Sequence, residues 1–132
     1  MRKLMVGVST TAALLLGVTA TPAQAAENPL TTTGARGFVN SYNKRVEACD
    51  TRADGRRAMA RAVNVTQGIL VGWAEDKNGA NGCTPQSGTG QGAAVDPFWH
   101  TPRRGDVIRL EVWIQDGAGG AQENLRRTEF TY

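Results

Sequence analysis

In Val107-Ile108-Arg109-Leu110-Glu111-Val112-Trp113-Ile114-Gln115, four aliphatic side chains, Ile108, Leu110, Val112 and Ile114, stand at every second position. Successive side chains of an extended chain point to opposite faces, so a period of two describes a strand with one face buried against a core. A second strand is expected where Ile69, Val71 and Trp73 alternate with Leu70, Gly72 and Ala74. That segment is apolar on both faces, as a central strand is.

Two further stretches carry both periods. Phe38, Tyr42, Val46 and Cys49 fall at helical spacing, while Tyr42, Val46 and Ala48 also fit alternation. Residues 57–65 are rich in Ala, Met and Arg, which favour helix, yet the stretch is short and follows Asp54-Gly55 directly. Strands are expected for both. Asp54-Gly55, Asn78-Gly79 and Asn81-Gly82 accept positive φ and suit tight connections between antiparallel strands. Residues 125–132 alternate again and are expected to close a sheet edge. The fold class that follows is all-β, a small antiparallel β-sandwich of immunoglobulin-like size with about five or six strands.

The N-terminus has a different character. Arg2 and Lys3 precede an apolar run over 4–18, and Ala23-Gln24-Ala25 places small side chains at the positions a signal peptidase admits. The run is interrupted by Ser9, Thr10 and Thr11, short of the ~20 apolar residues of a membrane span. The expected organisation is a signal peptide over 1–25, cleaved after Ala25, a flexible lead-in over 26–36 and a single β domain over 37–132. A secreted, extracellular product is implied, with no membrane attachment once the leader is removed. Export also removes two of the 15 Lys+Arg while all 12 Asp+Glu remain, so little of the +3 formal charge survives. General nucleic-acid binding loses its electrostatic support on that ground.

Cys49 and Cys83 are the two cysteines. In an oxidising compartment a pair joins, so a Cys49–Cys83 disulfide is expected, restraining the unfolded chain by about 3–4 kcal/mol. The rival reading, a catalytic thiol, lacks a legible Cys-His arrangement.

Between Cys83 and Asp106 the chain is irregular. Ser87-Gly88-Thr89-Gly90-Gln91-Gly92 has no side chains for packing and is expected to be mobile. Phe98, Trp99, His100, Arg103 and Arg104, by contrast, are concentrated in a stretch stiffened by Pro97 and Pro102, and form the candidate binding surface. The alternative is that Phe98 and Trp99 plug an open end of the core.

Catalytic and metal signals are weak. With His100 as the single histidine, neither a two-histidine metal site nor a His-Cys zinc site can be assembled. Asp76, Asn78 and Asn81 lack the glycine offset and final carboxylate of a calcium loop. No Gly-x-Ser-x-Gly elbow is present. Glu111 could pair with Glu75, Asp76 or Asp106 across a glycosidic bond, but is read more simply as part of a solvated strand face with cross-strand partners. No catalytic residue, cofactor or metal is therefore assigned.

The pattern Cys49-Asp50-x-x-Ala53-Asp54-Gly55, then Asp76-x-Asn78-Gly79-x-Asn81-Gly82-Cys83, then the 107–115 strand, resembles small secreted β-rich proteins of actinomycetes. The resemblance spans roughly residues 45–115. It implies a compact β fold and strands over 37–65, and carries no activity or functional residue with it. The function expected is a non-catalytic secreted interaction module. Its partner would be an extracellular protein or an anionic cell-envelope polymer, the latter met through Arg103, Arg104, Arg126 and Arg127. The alternative is a small secreted hydrolase or toxin using His100 or a carboxylate pair.

Overall fold

The computed structural model describes residues 27–77, 79–80, 82–83 and 98–132. The expected signal peptide, the 87–92 stretch and the side chains of Asn78 and Asn81 lie outside the described residues. The strands are β1 (Glu27–Thr32), β2 (Ala35–Asn40), β3 (Arg45–Asp50), β4 (Arg57–Asn64), β5 (Ile69–Asp76), β6 (Gly82–Cys83), β7 (Val107–Gln115) and β8 (Glu123–Thr131). They form two four-stranded antiparallel sheets, ordered β1-β2-β3-β6 and β5-β4-β7-β8, and the described residues contain no helix.

The alternation in 107–115 maps onto the whole of β7. Ile108, Leu110, Val112 and Ile114 point between the sheets, where they meet Val39, Val46, Val71 and a row of alanines. Ala58, Ala60 and Ala62 sit opposite Ile114, Val112 and Leu110 in the β4–β7 register. Those helix-favouring alanines are strand residues here because the sheets approach too closely for anything larger. Across the interface, a Cβ added at Gly37 would lie 2.6 Å from Val112 Cγ2 and 2.8 Å from Ala60 Cβ. Backbone packing therefore overrides helix propensity at 57–64. In β5 a bulge sets Val71 outside the register between Ala62–Gly72 and Val63–Leu70, and its side chain is fully buried in the core.

The disulfide joins Cys49 to Cys83 and ties the two-residue β6 to the edge of β3. As expected, β8 forms a sheet edge.

Several expectations are corrected. The described residues form eight strands where five or six were expected. Part of the difference is β1, which occupies the stretch expected as a lead-in. Its six residues pair with β2 from Glu27–Asn40 to Thr32–Ala35, through main-chain bonds that need no apolar periodicity. The Asp-Gly and Asn-Gly signals do not make hairpins. Gly55 (φ +79°) lies between β3 and β4, and Gly79 (φ +66°) between β5 and β6, so both connections cross from one sheet to the other. The residues accept positive φ as anticipated, but a turn residue does not specify which sheet the chain enters next.

A cationic and aromatic loop end

Strand direction gathers four segments at one end of the sandwich. These are the β2–β3 turn (41–44), the β4–β5 turn (65–68), the segment 98–106 leading into β7, and Tyr132 beyond β8. Among the described residues the exposed large apolar side chains are Tyr42 (81% exposed), Trp99 (49%) and Val65 (38%). All three belong to this end.

The segment 98–106 is anchored by its backbone. Phe98 N donates to Lys44 O and Trp99 N to Val71 O, each at 2.8 Å, and Gly105 N donates to Tyr132 O at 2.9 Å. Its turn is closed by Asp106, whose buried Oδ2 accepts from Asn64 Nδ2 (2.6 Å), Gln67 Nε2 (3.2 Å) and Arg103 N (2.8 Å). With three donors on one oxygen, the carboxylate holds 64–67 and 103–106 together. On the other side, Asn43 N donates to Asn40 Oδ1 at 2.9 Å, closing the β2–β3 turn beneath Tyr42.

The candidate binding residues divide between two roles. Phe98 is half-buried against the core, edge-on to Tyr132 with ring centroids 6.3 Å apart. Trp99, one residue on, turns outward, and His100, Arg103 and Arg104 are exposed beside it. Pro102 is buried and supports the loop from below. Arg126 and Arg127 do not join this surface. They pair in register with Val112 and Glu111 midway along the edge strand β8, and Arg127 Nε donates to Glu111 Oε1 at 2.9 Å. Tyr42 and Lys44 belong to the surface but were missed by sequence reasoning. The signal available was the polar break Asn40-Ser41-Tyr42-Asn43-Lys44 between two alternating runs.

The cations of this end take part in no ion pair among the described residues. The ion pairs of the described residues engage Arg56, Arg57, Arg61, Arg109 and Arg127. Lys44, Arg103 and Arg104 enter none of them, and Asp106 is buried. The end also holds an open cleft of about 250 Å³ lined by Asn28, Ser41, Phe130, Thr131 and Tyr132.

The outer face of β5-β4-β7-β8 is organised in the opposite way. Glu111 is 3% exposed because Arg61 and Arg127 cover it, so its strand face is not the solvated one expected. Arg61 Nε reaches Glu111 Oε2 at 2.8 Å and its guanidinium lies 5.6 Å over the Trp113 ring. Arg109–Glu129 and Arg57–Glu75 complete a face on which four arginines are paired with three glutamates. Both oxygens of Glu111 are held by guanidiniums, and Glu75 by Arg57. Asp76 and Asp106 lie at opposite ends of the sandwich, near the disulfide and the loop end respectively. Of the carboxylates considered for glycoside hydrolysis, Glu111 and Glu75 are thus both engaged by arginines, and Asp76 and Asp106 stand apart at the two ends. His100 has no hydrogen-bonded carboxylate or nucleophile among the described residues. Those residues contain no group of three metal-ligating side chains, and no helix long and apolar enough to cross a membrane.

The class so defined is a small disulfide-bonded antiparallel β-sandwich with one aromatic, cationic loop end. No family model, curated protein or solved structure matches the chain.

Proposed function

We propose that this chain is an exported, non-catalytic binding module that contacts an anionic polymer of the cell envelope through its loop end. The observation that carries the reading is the gathering of Tyr42, Val65 and Trp99 on one end, beside Lys44, Arg103 and Arg104, which enter no ion pair among the described residues. Exposed aromatic side chains beside cations on anchored loops are the chemistry of recognition surfaces, since a rigid ring loses little entropy on contact. Export rests on the leader-like residues 1–25 and accords with the disulfide. The resemblance to small secreted actinomycete proteins points the same way.

The test is retention of the 26–132 protein on purified cell wall at low and high salt. Wild type should be retained and released by salt, because exposed charge pairs are screened within about 8 Å at physiological ionic strength. A Trp99→Ala/Arg103→Ala/Arg104→Ala variant with unchanged thermal stability should pass through. Equal retention of the variant would refute the loop end as the contact surface. Salt-resistant, stoichiometric capture of one protein from culture supernatant would favour an extracellular protein as partner instead.

A further inference from the structure

Each of the two sheets ends in two edge strands, and three of these four edges are poorly suited to take another strand. The strand β6 is two residues long, β1 carries Pro29, which has no N–H to offer, and Val71 O on β5 already accepts from Trp99 N. The fourth edge, β8, runs nine residues without a proline. We infer that β8 pairs antiparallel with β8 of a second copy about a two-fold axis at Thr128, joining the β5-β4-β7-β8 sheets of the two copies into one.

The main chain of β8 has groups to offer. Tyr132 N donates to Asp106 O and Tyr132 O accepts from Gly105 N, so the main chain of Tyr132 faces β7. Val107, opposite Thr131, gives its N–H to Thr66 Oγ1 and its carbonyl to Val65 N, on the side away from β8. Alternate residues of a strand bond to opposite sides, and the register is unbroken from Val107–Thr131 to Val112–Arg126. The N–H and C=O of Arg127, Glu129 and Thr131 therefore point out of the sheet, and among the described residues nothing bonds to them. Only the start of the strand is covered, where Thr32 Oγ1 donates to Asn124 O and Asn124 takes a positive φ of 55°.

The side chains choose the partner. Charges on an edge strand ordinarily repel a second strand, but those of β8 are of both signs and fit a copy of themselves. Two copies of one strand related by a two-fold axis set one residue opposite itself and pair the residues on either side of it reciprocally. A centre on Arg126 or Arg127 sets arginine against arginine, and a centre on Glu129 sets glutamate against glutamate. A centre on Thr128 sets Arg127 of each copy opposite Glu129 of the other. These are the residues whose main chain points outward, so one register supplies both the hydrogen bonds and the ion pairs. Their side chains are about half exposed (59% and 48%), and each has capacity left, since Arg127 bonds Glu111 through Nε and Glu129 bonds Arg109 through Oε1. Arg61 stands in register with Glu111, Glu111 with Arg127, and Glu129 with Arg109. The joint thus continues one row of alternating charge: Arg61, Glu111 and Arg127, then Glu129 and Arg109 of the second copy. Antiparallel pairing turns the second copy end for end, so the two loop ends face opposite ways. The pairing itself does not depend on the polymer-binding reading.

Sedimentation velocity of the 26–132 protein should show one chain converting to two as its concentration rises, and amide hydrogen exchange in the paired form should slow at Arg127 and Glu129. Glu129→Arg sets arginine against arginine across the joint and should weaken association by about tenfold or more, because two exposed charge pairs become two repulsions. Mixing that variant with Arg127→Glu, whose β8 carries glutamate at both positions, should restore association. Glu129→Pro removes an outward N–H and keeps the bonds to β7; it should also weaken association, and it serves if Arg127→Glu fails to fold beside Glu111. A single chain at every concentration would overturn the pairing and leave the edge to a strand of another protein. Association left unchanged by Glu129→Arg and Glu129→Pro would overturn β8 as the surface.

Discussion

The backbone N–H of Asp50 donates to Oδ2 of Asp76 at 2.9 Å, which places two buried acids side by side at the disulfide end of the sandwich. Asp50 is 5% exposed. Its Oδ1 accepts from Arg52 N at 2.8 Å, but its Oδ2 is buried without a hydrogen-bond partner among the described residues. Burial pushes the Asp50 carboxyl above its ordinary value of 3.8; the Arg52 N–H, the next largest effect, pulls it down, and repulsion from Asp76 and then Asp54 adds smaller upward pushes.

That shift has a sign. The folded chain holds the Asp50 proton to higher pH than the unfolded chain does, so this group contributes stability below pH 3.8 that is lost as pH rises through the folded-state pKa. Asp50→Asn removes the ionisation and keeps an acceptor for Arg52 N. Urea unfolding should show the variant more stable than wild type at pH 7, with the difference shrinking as pH falls towards 3. A less stable variant at pH 7 would mean that the Asp50 charge is compensated.

Glu111 is the reverse case, a buried carboxylate with two guanidiniums. Glu111→Gln leaves Arg61 and Arg127 without their counter-charge. The loss should be about 1–2 kcal/mol, below the 3–5 kcal/mol of a fully buried pair because both arginines reach solvent. Chemical denaturation at low salt checks the magnitude, and the gap between variant and wild type should narrow at high salt.

Gly37 marks the closest approach of the two sheets. Gly37→Ala places a methyl 2.6 Å from Val112 Cγ2 and should cost about 1–3 kcal/mol by overpacking. Adding Val112→Ala removes the nearer of the two obstructions, with Ala60 Cβ at 2.8 Å remaining. The double variant should therefore be more stable than the sum of the two single losses, which a double-mutant cycle on thermal melts measures.

Phe98 and Trp99 should separate stability from binding. Phe98→Ala removes a ring packed on the core and on Tyr132, and should cost about 1–3 kcal/mol, short of a fully buried ring. Trp99→Ala, on a half-exposed ring, should stay within about 0.5 kcal/mol of wild type. Differential scanning calorimetry of the two variants decides this. A large loss for Trp99→Ala would make that ring part of the core.

Reduction of Cys49–Cys83, or its replacement by serines, should lower stability by about 3–4 kcal/mol, since the bond closes a loop of 34 residues' separation. Thermal melts with and without reductant test it. An unchanged midpoint would mean that β6 adds nothing to the fold.

Residues 107–115 show what a sequence by itself determines. A period of two with Ile108, Leu110, Val112 and Ile114 on one side leaves a single register of burial, because shifting by one residue would expose all four. The strand bounds and the buried aliphatic face were legible for that reason, and the all-β class and the cysteine pair with them. Tertiary structure alone decided the rest. Whether Ala58, Ala60 and Ala62 are helix or strand depends on β7 beside them in the sheet and on Gly37 across the interface, and β1 exists because β2 offers it main-chain partners. The same holds for the loop end. Phe98 and Trp99 are neighbours of similar chemistry in the sequence, and only the bonds to Lys44 O and Val71 O turn one ring onto the core and the other to solvent. Tyr42 and Lys44 lie more than fifty residues from Trp99 along the chain, and it is the fold that brings Lys44 O to Phe98 N, the residue before Trp99. Local alternation reports which side of a strand is apolar, while a surface built from several turns is set by strand order, which no local pattern encodes.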